Sequence, residues 1–211
     1  MAAGMCSCQP ADLASWQWPG SLICPCLTHK GAERNPMIWS LFRKNSATEP
    51  VYAVYNSIVA QSRQPLFYAE WGVPDTVTGR FDMISLHLAL LFRRLRKESE
   101  ESKAFSQAVF DLFFKDMDRS LREMGVTDLG IPKKIQKMGN IFFGMLAAMS
   151  EAMDRNDRDA LAGVLARNVF DADQQVHAQE LAAYLLARDA DLAAQNPAGI
   201  LAGHLNFGIA A

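Results

Sequence analysis

The chain is expected to fold as an all-α protein, one bundle of about six helices with an ordered aromatic and Pro-rich loop between the first two. Three observations lead there. Apolar residues recur at steps of three and four from about Val51 onward. No stretch alternates with the period of two that a half-buried strand requires, and turn residues fall at helix spacing rather than about every 8 to 12 residues. The 50% hydrophobic content of the 211 residues suits one folded domain with a sizeable core.

Residues 1–36 stand apart. They hold all four cysteines (Cys6, Cys8, Cys24, Cys26), Trp16, Trp18 and four prolines, with no helical or strand period. The first cation is Lys30, so the positive n-region of a secretory signal is missing. This segment is expected to be a disordered tail or an extension upstream of a true start at Met37. Its two Cys-x-Cys pairs, the second enclosing Pro25, make an awkward zinc clamp, because zinc sites usually space cysteines further apart. With no cysteine elsewhere, the folded part is expected to mature in a reducing compartment, the cytoplasm. That domain is expected over 37–195, with 196–211 as a C-terminal tail.

Met37, Ile38, Trp39, Leu41 and Phe42, followed by Arg43 and Lys44, form an apolar-then-basic arm that either touches a membrane surface or packs on the domain. The first helix is expected over about 51–63, with Tyr52, Tyr55, Ile58 and Val59 on one side and an end before Pro65. The 64–79 segment that follows is long for a linker, but it is rich in aromatics and proline, which favours an ordered, functional loop. The second helix, about 81–99, carries Phe81, Ile84, Leu88, Leu91 and Leu95 as a core-facing stripe. The third, about 102–124, aligns Phe110, Phe113, Met117, Leu121 and Met124 and stops at Gly125.

Pro132 suits the first turn of a fourth helix. Its Met138, Phe142, Met145, Met149 and Met153 place it at the centre of the bundle. The methionines read first as core filling and second as an adaptable client surface. Asn156 or Asp157 caps a fifth helix, and a sixth runs over about 173–194. The residues after Pro197 are expected to be an appendage. No apolar run approaches the length needed to span a bilayer.

The net charge of -2 gives no global attraction to nucleic acid or anionic lipid, and no nucleic-acid binding is expected. The distribution is uneven. Arg80 to Lys137 carries twelve Lys or Arg against nine Asp or Glu, and Ser150 to Gln195 four against nine.

The chain lacks paired Glu-x-x-His motifs, a Gly-x-Ser-x-Gly elbow and a Gly-rich phosphate turn after a strand, so no enzyme, metal site or cofactor is expected. His177 and Glu180 have a related spacing, but reversed and single. His87 lies seven residues after Arg80 and seven before Arg94, so the three share one edge of the second helix. His87 is then either a partly buried histidine with one hydrogen bond or part of a polar recognition row. A haem- or metal-handling protein, with His87 and a nearby Met as axial ligands, is the alternative reading.

The stretch from Tyr55 to Leu95 closely resembles the ubiquinol-cytochrome c chaperone family. The Gly-Val-Pro-Asp-Thr block at 72–76 and the Gly-Arg-Phe-Asp-Met block at 79–83 carry the likeness. It is sharpest over Ile58 to His87 and weaker to about Met153, with residues before Met37 and after about Ala194 outside it. The resemblance implies an assembly chaperone for ubiquinol-cytochrome c reductase that binds newly made cytochrome b. Mitochondrial members work near the ribosome with a small assembly partner. This chain, which lacks an Arg-rich transit peptide, looks like a bacterial relative, cytoplasmic or peripheral on the cytoplasmic face of the inner membrane.

The expected client wall is the 66–80 loop with the start of the second helix. Phe67, Tyr68, Val73, Pro74 and Asp75 come from the loop, and Arg80, Asp82, His87, Arg93 and Arg94 from the helix. Pro74 fixes a turn, Asp75 and Thr76 bond nearby amides, and Asp82 favours a helix N-terminus; these are structural as well as recognition roles.

Overall fold

The computed structural model describes residues 49–170 and 175–208, so the expectations for 1–36 and for the 37–44 arm lie outside the described residues. Among these residues the order is α1 (Glu49–Ser62), a π-helical turn (Leu66–Glu70), α2 (Val77–Leu95), α3 (Glu100–Glu123), α4 (Ile131–Asp154), α5 (Arg158–Asn168), a 3₁₀ turn (Gln175–His177), α6 (Ala178–Ala193) and α7 (Pro197–Leu201). No strand occurs among them. The all-α bundle with an ordered loop between its first two helices is therefore the fold.

Local chemistry sets the boundaries. α2 starts four residues before the expected Phe81, although Val77, Thr78 and Gly79 are poor helix formers. The Thr76 hydroxyl accepts the Gly79 N–H at 3.1 Å and caps the end. Gly79 is required there, because a Cβ would stand 2.0 Å from the Pro74 carbonyl oxygen. α3 opens on Ser99, whose hydroxyl accepts the Ser102 N–H, and closes at Gly125, which adopts a φ of 79°. Asp157, not Asn156, caps α5; Asn156 takes the left-handed turn before it, with φ 52°.

The central helix is α2, not α4. Every residue from Phe81 to Phe92 is buried, because α1, α3, α4 and α6 pack around it. Each fully buried leucine contributes about 1.5–3 kcal/mol, and α2 supplies Leu86, Leu88, Leu90, Leu91 and Leu95. α4 buries Phe142, Met145, Met149 and Met153 on one side only, leaving Lys133, Lys137, Asn140 and Gly144 in water. Those methionines fill the core. Phe81 stacks on Phe113 at 5.3 Å, and Phe110 meets Phe142 at 5.5 Å, so aromatic rings lock α2, α3 and α4 together.

The segment after Ala194 is not a free appendage. Ile200 and Phe207 are buried, Gly203 turns with φ 97° against Pro50 and Ala53, and Arg188 Nη1 donates to the Phe207 carbonyl at 2.6 Å.

Candidate binding surface

The 66–80 loop folds back along two helices. The π-helical turn is closed by the Trp71 N–H on the Leu66 carbonyl at 3.0 Å, and Val73 N–H then reaches the Phe67 carbonyl at 2.9 Å. These bonds turn Phe67 and Val73 inward, where both are buried. The Phe67 ring lies 5.5 Å from Trp71, 5.8 Å from His87 and 5.1 Å from Tyr184. Tyr68 sits half-buried with its hydroxyl donating to the Ser62 carbonyl at 2.9 Å. The space beside the Gly79 bend is taken by the Pro74 backbone, whose carbonyl oxygen would stand 2.0 Å from a Cβ at Gly79.

The Arg80, His87 and Arg94 row exists as a stripe on α2, but α6 occupies most of it. The two helices run parallel: His87 meets Tyr184, Arg93 meets Asp189, and Arg94 meets the end of α6. His87 is fully buried, so it is a core residue rather than a rim contact. Burial holds its imidazole down at about 4, against the pull of the Met83 carbonyl, and the ring is neutral. Nδ1 must donate to the Met83 carbonyl at 2.7 Å, which leaves Nε2 to accept from the Tyr184 hydroxyl at 2.9 Å. Tyr184 accepts in turn from Gln61 Nε2 at 2.9 Å. Both ring nitrogens are therefore engaged, which leaves neither free for the haem or metal of the alternative reading. One hydrogen-bonded chain ties α1, α6 and α2.

Arg93 and Arg94 are clamps. Arg93 donates to Asp154 at 2.9 Å, to the Ser150 carbonyl at 3.1 Å and to Asp189 at 3.3 Å, with only 9% of its side chain exposed. Arg94 donates to the Leu192 carbonyl at 2.9 Å, the Gln195 carbonyl at 2.8 Å and Glu98 at 2.6 Å. Neither is a free rim charge.

Asp82 lies in the second turn of α2, past the first turn where a helix N-terminus acts, and it is buried. Burial alone pushes its carboxyl up to about 7. Ser85, one turn further on, buries a hydroxyl with no hydrogen-bond partner. An unpaired buried acid is costly, and such violations of local rules concentrate at functional positions.

The outward part of the expected wall is smaller than the sequence suggested. Asp75 and Arg80 pair across the Gly79 bend at 2.7 Å, both more than half exposed, and that bond holds the Asp75 carboxyl below the usual range. Val77 is exposed beside them, and Tyr68, Trp71 and Pro74 are partly exposed. This strip of apolar side chains edged by one ion pair is the accessible face of the loop.

A sequence model of the Ubiquinol-cytochrome C chaperone family matches residues 69–207. The match starts within the loop and reaches well past Ala194, where the resemblance was expected to stop. The fold also matches the crystal structure of the Cbp3 homolog from Brucella abortus, with a TM-score of 0.69 and 41% identity over 81% of this chain and 98% of that one. The Ubiquinol-cytochrome-c reductase complex assembly factor 1 of Xenopus laevis is 22% identical over 117 residues, which is 56% of this chain and 58% of the frog protein.

Proposed function

Because the chain belongs to the ubiquinol-cytochrome c chaperone family, we propose that it assists biogenesis of complex III by holding newly made cytochrome b, acting by binding rather than catalysis. Immature cytochrome b presents apolar helices, which a helical surface with adaptable and aromatic side chains can capture. The observation that carries the site is the exposed strip of Tyr68, Trp71, Pro74 and Val77 edged by the Asp75–Arg80 pair. An ion pair so exposed does little for folding. It is suited to setting the orientation and on-rate of a charged client.

In this reading Phe67 and Val73 anchor the strip from beneath and His87 packs on Phe67, while Asp82, Arg93 and Arg94 act on it only through α2 and its packing on α4 and α6, and the client touches the loop's outer face. The protein works in the cytoplasm or peripherally at the inner membrane, with the ribosome and a small assembly partner as further candidates for contact. No helix among the described residues is long and apolar enough to cross a membrane.

The test is affinity capture from a detergent extract of respiring membranes, with Asp75→Lys and Arg80→Glu variants beside the parent. Cytochrome b should be recovered with the parent and depleted with each variant. Equal recovery from all three would remove the strip from consideration, and its absence from every sample would remove the client.

A further inference from the structure

The α3–α4 hairpin ends in a turn at 124–130 whose side chains do not pack into the core. Leu129 is 89% exposed and Met124 49%, among the most exposed large apolar residues described. The turn leads straight into the first turns of α4, where Lys133, Lys134 and Lys137 all face water. Between Asp128 and Glu151 the sequence has three lysines and no carboxylate.

The acids nearby are already engaged. Arg119 pairs with Glu123 at 2.9 Å, Arg122 with Asp118 at 2.8 Å and also with Asp128, and Asp116 accepts the Tyr55 hydroxyl at 2.9 Å. Lys133, Lys134 and Lys137 have no such partner among the described residues. The end of the hairpin therefore places three unpaired lysines next to exposed apolar side chains, with five Lys or Arg against four Asp or Glu from Asp116 to Lys137, a net of +1.

We infer that this hairpin end docks on an anionic lipid bilayer, with Leu129 and Met124 entering the headgroup region and Lys133, Lys134 and Lys137 facing acidic headgroups. Charge alone would serve any phosphate-rich surface. The exposed leucine and methionine favour lipid, because they gain from an apolar layer that an RNA backbone does not offer. Both arginines of the hairpin end, the side chains best fitted to paired phosphate contacts, are held by their own acids.

The experiment is co-sedimentation of the full chain with phosphatidylcholine vesicles, with and without phosphatidylglycerol, and a parallel titration with single-stranded RNA. Binding should require phosphatidylglycerol and weaken with salt. Each lysine near an anionic surface is worth roughly five-fold in affinity, so the K133Q/K134Q/K137Q chain should bind on the order of a hundred-fold more weakly. Leu129→Ser should weaken it further, with helicity and melting unchanged because all four side chains are exposed. Equal vesicle binding by parent and variants would overturn the inference. So would loss of RNA binding in the lysine variant while Leu129→Ser changes nothing. Cytochrome b capture in detergent reads the client strip instead, so the two proposals fail separately.

Discussion

The Tyr184 hydroxyl stands 2.9 Å from Nε2 of His87, across 97 residues of chain. It accepts from Gln61 while donating to the imidazole, so a single oxygen closes a polar path through an apolar centre. Tyr184→Phe would leave His87 Nε2 and the Gln61 amide without their partner while preserving the ring that packs on Phe67. A loss of about 1–3 kcal/mol is expected in a urea titration. No change would mean the path contributes nothing.

His87 and Asp82 make opposed demands on pH. The unfolded chain takes up a proton at the histidine below about 6.5 that the fold refuses until about 4, so His87 costs stability as pH falls through that window. The fold keeps a proton on Asp82 up to about 7 that the unfolded chain releases near 3.8, so Asp82 costs stability as pH rises through that window. Between about 4 and 6.5 the two act in opposite directions, so neither limb should show its full slope there. Asp82→Asn removes one side of the balance. The variant should gain about 2–4 kcal/mol above pH 7, and below about 6.5 it should lose up to about 1.4 kcal/mol per pH unit. Denaturant midpoints across the range check both limbs.

Gly79→Ala drives a methyl into the Pro74 carbonyl at 2.0 Å, and backbone cannot swing aside as a side chain can. Loss of about 3 kcal/mol or more, with a shifted loop, is expected from thermal unfolding. Gly144→Ala is the control, because its Cβ meets nothing within 4 Å and the helix gains about 0.5–1 kcal/mol.

Arg93→Ala should cost about 1–3 kcal/mol, because it removes a nearly buried cation that bonds Asp189, Asp154 and the Ser150 carbonyl across three helices, while Asp154 keeps Arg96. Arg80→Ala should leave the melting temperature unchanged, since its one partner is an exposed acid. Comparing their melting curves separates a clamp from a surface charge.

The helices were legible because apolar spacing of three and four records which side of each faces inward. The stripe through Arg80, His87 and Arg94 was legible for the same reason. What covers it was not. Seven-residue spacing aligns side chains on α2, but it cannot tell that α6, nearly a hundred residues later, lies along that edge and turns a recognition row into a core histidine and a clamp. The centre was misplaced for a related reason. Methionines at the right spacing on α4 look central, yet its other side is lysine and asparagine, whereas α2 has polar residues such as Ser85 and Asp82 that the fold encloses anyway. The early start of α2 was hidden because Val77, Thr78 and Gly79 disfavour a helix on their own, and only the Thr76 cap and the contact with Pro74 outweigh that. The outward strip of the loop could not be separated from its buried half, since Phe67 and Trp71 are both aromatic, both pack on Tyr184, and differ only in how deeply the fold buries them.

The parallel run of α2 and α6 makes the seat of the loop a non-local one. Phe67 rests on His87 of α2 and on Tyr184 of α6, far along the chain. Pairings of such long sequence separation slow folding, because loop-closure entropy is lost before they form. The loop's outer face thus depends on a remote helix, and a change in α6 that loosens Tyr184 should disturb that face without touching it.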